Sequence, residues 1–290
     1  MRRIVMLSVF VLIVIFLFPS QERNKEFSIS GSTMGNIPYN IKYISREVLL
    51  DKNEMDSILV EFNKIFSTYI SSSEISVINR SSGQIDISDS FAFLLEESRR
   101  VYEFTDGYFD PTIGPLVNLW GFGPDKTINN PTQLEVNSKL KNVGLNKIDF
   151  EDNILTKSRD TYIDFSSIAK GYAVDLVYGW LQKSGFNNLF IEIGGEIRCS
   201  GFNKDGKNWV IGIDSPIENS SQRIFTTVQL HNASLATSGN YRNYLERGGE
   251  KINHTINPAT GMPVLTNVLS VSVRSQNCLS ADAWLSLIHI

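Results

Sequence analysis

The chain contains few of the residues that build covalent cross-links or zinc centres. Its two cysteines, Cys199 and Cys278, lie far apart in the sequence and follow neither a metal-binding spacing nor the pattern of a disulfide framework. They could pair across the fold, but the sequence favours two unpaired, small apolar residues. The three histidines, His231, His254 and His289, are too few and too scattered to favour a zinc site.

Several familiar sequence signatures are also missing. The formal net charge is −4 and no run of lysine or arginine occurs, which disfavours nucleic acid as a partner. The sequence has no Gly-x-Ser-x-Gly elbow, no His-Glu-x-x-His, no Walker phosphate loop and no Gly-x-Gly-x-x-Gly fingerprint. These absences disfavour a serine hydrolase, a zinc peptidase and a dinucleotide-binding Rossmann domain.

What is present begins with an export segment. Arg2 and Arg3 precede an uncharged, mostly apolar run from Ile4 to Phe18, which is shorter than the ~20 residues that span a bilayer comfortably. Residues 1–20 are therefore predicted to be a signal peptide, cleaved near Ser20, or an uncleaved anchor with its N-terminus in the cytoplasm. Either form predicts that the remainder of the protein is exported.

The rest of the chain mixes helical and strand patterns irregularly. Ile37, Tyr39, Ile41 and Tyr43 alternate as in a strand, whereas later segments repeat apolar residues at helical spacing. Thr132 and Glu135 form a capping box at the start of a short helix. Residues 105–124 are rich in glycine, proline and aromatic residues, which predicts an ordered functional loop without regular secondary structure. The pattern favours an α+β fold over a doubly wound α/β fold.

One stretch, residues 162–175, predicts a strand that turns sharply into an amphipathic helix. Ser166 or Ser167 is suited to cap this helix, and Gly185 is suited to end it. Asp164 and Lys170 therefore crowd a helix N-terminus, where free N–H groups favour a bound anion. A capped helix with a solvated lysine explains the same residues equally well.

A second group of residues offers hard oxygen ligands near predicted helix starts. They suit Mg²⁺, which prefers a few protein oxygens together with substrate phosphate; the group comprises Asp164, Ser167, Asp282 and Ser286. Each serine is individually more typical of a helix cap. His254, which precedes a turn rich in proline and glycine, is either a general base or a structural loop histidine.

A series of sequence blocks, in order, resembles one family. The most specific is Gly107-Tyr108-Phe109-Asp110 followed by residues 114–123. The others are residues 31–35, residues 67–79, Ala169 to Asp175, Ile193 to Ile197, Ala236 to Tyr241, and His254 to Pro263, with Ala281-Asp282-Ala283-Trp284 closing the series. The sequence is similar to the ApbE family of flavin transferases, also called FAD:protein FMN transferases, over nearly everything after the export segment.

The resemblance implies a reaction and a set of site residues. Family members bind FAD in an elongated pocket without a dinucleotide fold and, with Mg²⁺, attach FMN through its phosphate to a threonine or serine of a partner protein, releasing AMP. By this resemblance the FAD site comprises Met34, Tyr69, Tyr108, Phe109, Asp110, Asp164, Lys170 and Ile256. The metal site comprises Ser167, Asp282 and Ser286, and His254 is the candidate that activates the acceptor hydroxyl.

The resemblance also sets the expected partner and location. The acceptor is expected to be a membrane-associated redox protein subunit that carries a threonine or serine flavinylation motif. The location is expected to be periplasmic, with inner-membrane anchoring if the N-terminal segment is retained.

Three departures from the family pattern keep other functions open. Relatives usually have aspartate at the position of Asn257, and an acidic residue followed by threonine where this chain has Leu285 and Ser286. Relatives also continue beyond this helix, so the flavin transferase domain, residues 27–290, is expected to be C-terminally incomplete. The alternatives are an FAD pyrophosphatase that yields FMN and AMP, and an exported flavin-binding protein without turnover.

Overall fold

The computed structural model describes residues 24–47, 50–123, 130–216, 223–239, 244–247 and 250–285. The helices in this part of the chain are α1 (Lys52–Phe66), α2 (Glu74–Arg80), α3 (Asp89–Phe104), α4 (Gly114–Leu119), α5 (Gln133–Leu140), α6 (Ala169–Lys183) and α7 (Cys278–Leu285). The first strands are β1 (Lys25–Thr33), β2 (Ile37–Ser45), β3 (Gly83–Asp86), β4 (Asp149–Glu151), β5 (Ile154–Lys157), β6 (Leu189–Ile193) and β7 (Glu196–Ser200). The later strands are β8 (Trp209–Asp214), β9 (Ile224–Leu230), β10 (Ala233–Gly239), β11 (Tyr244–Arg247), β12 (Glu250–Asn253) and β13 (Ser270–Ser275).

The central element is a six-stranded antiparallel sheet in the order β1-β2-β6-β7-β10-β13. Smaller antiparallel sheets are formed by β3-β5-β4, by β8-β9 and by β11-β12. The predicted alternation in β2 is confirmed, because Tyr39, Ile41 and Tyr43 are all buried. This mixture of helices and antiparallel sheets confirms the predicted α+β class and differs from a Rossmann fold, whose sheet is parallel.

Helix α6 is packed between the sheet and the other helices. Its buried stripe includes Ala173, Val177 and Leu181, which recur at the helical period and belong to the main hydrophobic core. The helix ends at Lys183, and Gly185 follows with φ of 89°, as the sequence predicted. Helix α6 therefore carries its N-terminal residues to a fixed place beside the sheet.

Of two local predictions, one is confirmed and one differs from the structure. The capping box of Thr132 and Glu135 is present at the start of α5, but residues 114–119 form the short helix α4 where no regular element was predicted. Pro115 lies in the first turn of α4, where its missing N–H costs no hydrogen bond. The density of proline and glycine was therefore a poor guide here.

The predictions for the cysteines and for the N-terminal export segment have different outcomes. Cys199 and Cys278 are buried and unpaired with each other, as predicted. No helix among the described residues has the length and apolar character needed to cross a membrane. The predicted export segment, residues 1–20, and Ser286 lie outside the described residues.

Candidate active site

A buried ion cluster lies at the first turn of α6. The Nζ atom of Lys170 is 2.6 Å from Oε1 of Glu196 and 3.5 Å from Oδ1 of Asp282. Burial opposes the charge on Lys170, but the carboxylates of Asp282 and Glu196 outweigh it and raise the pKa of the lysine, which therefore stays protonated. Burial also raises the pKa of Glu196, to about 7, and that of Asp282. The cluster holds one cation between two carboxyl groups that are almost inaccessible to solvent.

The tight packing of two helices fixes the position of Asp282. Its Oδ2 atom accepts a hydrogen bond of 2.9 Å from the backbone N–H of Gly171. A Cβ atom at Gly171 would lie only 2.4 Å from the carbonyl oxygen of Cys278, so a glycine is required for this approach of α6 and α7. The sequence thereby places a carboxylate from α7 beside the N-terminal turn of α6.

A tight turn between two central strands fixes the position of Glu196. Gly194 and Gly195, with φ of 62° and 102°, join β6 to β7, and Glu196 is the first residue of β7. Glu196 lies within the family block from Ile193 to Ile197 but was not among the predicted site residues. A glutamate directly after two glycines at the end of a buried strand is the signal that identifies it in retrospect.

The start of α6 differs from the prediction. Its N-cap is Ile168, which makes no side-chain capping bond, so the prediction that Ser166 or Ser167 caps the helix was wrong. Instead, Oδ1 of Asp164 accepts a hydrogen bond of 2.9 Å from the N–H of Ser166. Burial raises the pKa of Asp164 despite this bond. Asp164 therefore shapes the turn that delivers Ser167 and Lys170.

The loop that was predicted to carry function is connected to this turn. The N–H of Asp164 donates to the carbonyl oxygen of Pro111 at 2.7 Å. The Oδ1 atom of Asp110 accepts from the N–H and the hydroxyl of Thr112, at 2.8 and 2.6 Å. Burial raises the pKa of Asp110. Asp110 and Asp164 thus lie on neighbouring segments that are joined by a backbone hydrogen bond.

The aromatic residues predicted for the FAD site fall into two groups. Tyr69 and Tyr108 expose 76% and 46% of their surface, and are therefore accessible to a ligand. Phe109, at 1% exposure, belongs to the main hydrophobic core and contributes to the packing beneath the loop. Met34 is half-buried against the same core, in the β1–β2 turn, with a left-handed φ of 48°.

The segment that contains His254 packs against the same loop. Ile256 is buried in a cluster with Leu116 and Trp120, and the indole N–H of Trp120 donates to the carbonyl oxygen of Gly261 at 2.8 Å. The His254 ring is half-buried, with its centroid 6.3 Å from that of Phe122. His254 and Ile256 are therefore held beside residues 114–122.

Asn257 has a structural role in this segment. Its Oδ1 atom accepts hydrogen bonds from the N–H groups of Ala259 and Thr260, at 2.8 and 3.3 Å. Asparagine and aspartate present the same acceptor to such a turn. The departure from the family pattern at this position leaves the turn intact.

The described residues contain no group of three or more histidine, cysteine, aspartate or glutamate side chains arranged to hold a metal ion. A Mg²⁺ site here would depend on a smaller protein set, with Asp282 as its carboxylate. Ser167, which is half-buried, lies four residues before the Gly171 N–H that binds Asp282.

A separate cleft of about 450 Å³ lies between α3, α6 and α7. It is lined by aromatic and charged residues that include Phe93, Phe104, Tyr172, Asp175 and Trp284. It shares no residue with the predicted FAD and metal sites and is therefore distinct from them.

Comparison with known proteins shows the family of this chain. A sequence model described as the ApbE family matches residues 34–289. The chain is 40% identical over 268 residues to an FAD:protein FMN transferase of Vibrio cholerae, covering 89% of this chain and 79% of that protein. It is 36% identical to an FAD:protein FMN transferase of Haemophilus influenzae, covering 97% of this chain and 85% of that protein.

Solved structures agree with this match. The flavin transferase ApbE from Vibrio cholerae superposes with a TM-score of 0.82 at 38% identity, over 91% of this chain and 86% of that one. The apo form of the flavinyl transferase ApbE from Pseudomonas stutzeri gives a TM-score of 0.84 at 32% identity, over 93% and 85% of the two chains. The fold described above is therefore the fold of these proteins.

Proposed function

The chain belongs to the ApbE family, and from that membership we propose that it transfers FMN from FAD to a threonine or serine side chain of a target protein, releasing AMP. The observation that carries this proposal is the half-buried Lys170, which lies beside the buried Asp282 at the N-terminus of α6. A lysine held charged at a helix N-terminus favours the binding of a pyrophosphate. Lys170, Glu196 and Asp282 each belong to one of the family blocks identified in the sequence.

The proposed reaction forms one bond at phosphorus and breaks another. The acceptor hydroxyl oxygen forms a bond to the phosphorus of the FMN half, the bond from that phosphorus to the bridging oxygen breaks, and AMP leaves with that oxygen. The hydroxyl proton passes to His254. Lys170 holds the pyrophosphate, while Tyr69 and Tyr108 offer exposed aromatic faces to the flat flavin ring. Asp110 and Asp164 are the acceptors that we assign to hydrogen bonds from the bound nucleotide.

The residues present fit Mg²⁺ as the metal of this reaction. Among the described residues, Lys170 at 3.5 Å is the one hydrogen-bond contact of Asp282 Oδ1, so this buried carboxylate oxygen retains capacity to bind a cation. Ser167, and Ser286 outside the described residues, would add hydroxyl oxygens to the ligand set. When held by these residues, the ion would neutralise negative charge on the pyrophosphate and so favour attack by a hydroxyl.

The proposal extends to location and partner. Arg2 and Arg3 followed by the apolar run from Ile4 to Phe18 support export, either with cleavage or as an inner-membrane anchor. The acceptor is then a periplasmic or membrane-associated redox subunit. Cell fractionation with and without residues 1–20 tests this part: deletion is expected to leave the protein in the cytoplasm, and an unchanged distribution would contradict export.

The experiment that tests the reaction uses the purified chain, FAD, Mg²⁺ and a fragment of an exported redox subunit from the same genome that carries a short Gly/Thr/Ser-rich segment. We expect a flavin-fluorescent acceptor band on a denaturing gel, with AMP released in equal amount. Both should disappear with a chelator or in Asp282→Asn, whereas Asp205→Asn, in an exposed turn, should retain them.

Two outcomes would contradict transfer. AMP without a fluorescent band would indicate the FAD pyrophosphatase, in which water replaces the acceptor hydroxyl. Bound flavin with neither product would indicate a flavin-binding protein.

A further inference from the structure

Lys170 is shared unequally between two carboxylates. Its Nζ atom lies 2.6 Å from Glu196 but 3.5 Å from Asp282, so it forms a short ion pair with the first and a marginal contact with the second. The side chains of Glu196 and Asp282 are 3% and 4% exposed. Water therefore does little to screen either carboxylate, and the position of the ammonium determines how each is compensated.

The two carboxylates are held by independent parts of the fold. Asp282 is fixed through its other oxygen by the N–H of Gly171, which leaves Oδ1 facing the lysine. Glu196 is fixed by its position at the start of β7, directly after Gly194 and Gly195. Its Oε2 atom is buried without a hydrogen-bond partner among the described residues. Glu196 is therefore buried with one of its two carboxylate oxygens unbonded, and its main partner in the described part of the chain is Lys170.

A buried polar atom without a partner is costly, so its retention calls for a compensating role. We propose that Glu196 is a positioning residue: it holds the Lys170 ammonium away from Asp282 and thereby keeps Asp282 Oδ1 available to a divalent cation. The inference rests on the proposed function, because it concerns the metal that the transfer reaction uses.

The Lys170 ammonium and a divalent cation compete for Oδ1 of Asp282. An ammonium in direct contact with a carboxylate opposes a metal ion at the same oxygen, since both are cations and both occupy its lone pairs. With Glu196 present, the nearer carboxylate satisfies the lysine. Without that charge, Asp282 becomes the nearest carboxylate to Lys170, and the ammonium is drawn onto the oxygen that the metal requires.

The test is titration of the FAD-free, full-length protein with Mg²⁺ alone by isothermal calorimetry. Glu196→Gln keeps the shape of the side chain and removes its charge, and we expect Mg²⁺ affinity to fall by roughly ten- to a hundredfold, as for other residues that orient a ligand. Glu196→Asp keeps the charge but shortens the reach to Lys170. We therefore expect the Mg²⁺ affinity of Glu196→Asp to lie between those of the wild type and Glu196→Gln. Wild-type affinity in either variant would overturn the proposal.

A second pair of variants separates action through Lys170 from direct binding. Lys170→Met removes the competing cation, so in this background Glu196→Gln should lose most of its effect on Mg²⁺ affinity. An effect of the same size in both backgrounds would show that Glu196 binds the metal itself or acts by charge alone, and would overturn the proposal. Thermal melts of the four proteins exclude unfolding as the cause of a lost affinity.

The proposed function and this inference fail separately. Wild-type protein that binds no Mg²⁺ would overturn the positioning role. Protein that binds Mg²⁺ with the expected differences between variants, yet transfers no FMN, would contradict the proposed function and leave the positioning role supported.

Discussion

Asp175 on α6 caps the first turn of α7 by accepting the backbone N–H of Cys278 at 3.0 Å through Oδ1. Its Oδ2 atom accepts the next N–H, that of Leu279, at 2.9 Å. The reciprocal bond runs from α6 to α7, where Asp282 accepts the N–H of Gly171. Each helix therefore supplies a carboxylate to the backbone of the other, and the two bonds together fix Asp282 relative to Lys170.

The first prediction concerns this cap. Asp175→Ala removes both capping bonds and the ion pair with Arg198, so we expect the free energy of unfolding to fall by about 2–4 kcal/mol. Urea denaturation measures the loss. Asp175→Asn retains one acceptor oxygen and should lose less. Equal stability of Asp175→Ala and wild type would contradict the capping role.

The second prediction separates ligand contact from packing among the aromatic residues. Tyr69→Ala alters a side chain that is 76% exposed, so we expect FAD affinity to fall by about tenfold while the melting temperature stays unchanged. Phe109→Ala empties a core position and should lower the free energy of unfolding by about 3–5 kcal/mol. Flavin fluorescence titration and thermal melts measure the two effects. A Tyr69→Ala variant with wild-type FAD affinity would remove Tyr69 from the site.

The third prediction concerns the acceptor hydroxyl. If His254 takes its proton, His254→Ala should slow FMN transfer by roughly 10²- to 10⁴-fold with FAD affinity retained. Initial rates of AMP release measure the effect. His231, whose ring packs against Phe202, provides a matched histidine control, and His231→Ala should transfer FMN at the wild-type rate. A fast His254→Ala variant would assign the proton transfer elsewhere.

The fourth prediction concerns pH. Burial raises the pKa of Asp110 above its ordinary value of 3.8, so the folded protein binds this proton more tightly than the unfolded chain. The stability contributed by Asp110 is complete below pH 3.8 and is lost as the pH rises through the folded pKa. Asp110→Asn should therefore reduce the decline of the free energy of unfolding with pH above this value, as measured by urea denaturation.

The reduction in slope should be partial, because burial raises the pKa of Asp164 in the same direction. An unchanged slope in Asp110→Asn would show that the buried carboxyl group of Asp110 titrates alike in the folded and unfolded chains.

Local sequence patterns predicted those parts of the fold that depend on local chemistry. The alternation in β2 and the capping box of α5 follow from residue spacing alone, and both are present. The cap of α6 was mispredicted because Asp164 binds the Ser166 N–H and inserts a turn before the helix begins. The choice between two hydroxyl caps and this turn is not visible in residue spacing.

The site was predictable only in part. The family blocks identified Lys170 and Asp282, but the ion cluster also requires Glu196, which comes from another strand. No local sequence pattern indicates that β7, α6 and α7 come together, because their contact depends on the packing of Gly171 against Cys278. Asp175 was missed for the same reason, although it ends the block that contains Lys170.

The order of strands in the central sheet has a consequence for biosynthesis. β2 pairs with β6, which the ribosome delivers about 140 residues later, and β10 must still follow before β7 gains its second neighbour. At a synthesis rate of ~5–20 residues per second, the β2 edge of the β1–β2 hairpin stays unpaired for roughly 7–30 s before β6 is made. The backbone groups of β2 that later pair with β6, from Tyr39 to Tyr43, have no strand partner on that side during the interval. The open edge of β2 is therefore a place where a chaperone that holds the chain would prevent pairing with another strand.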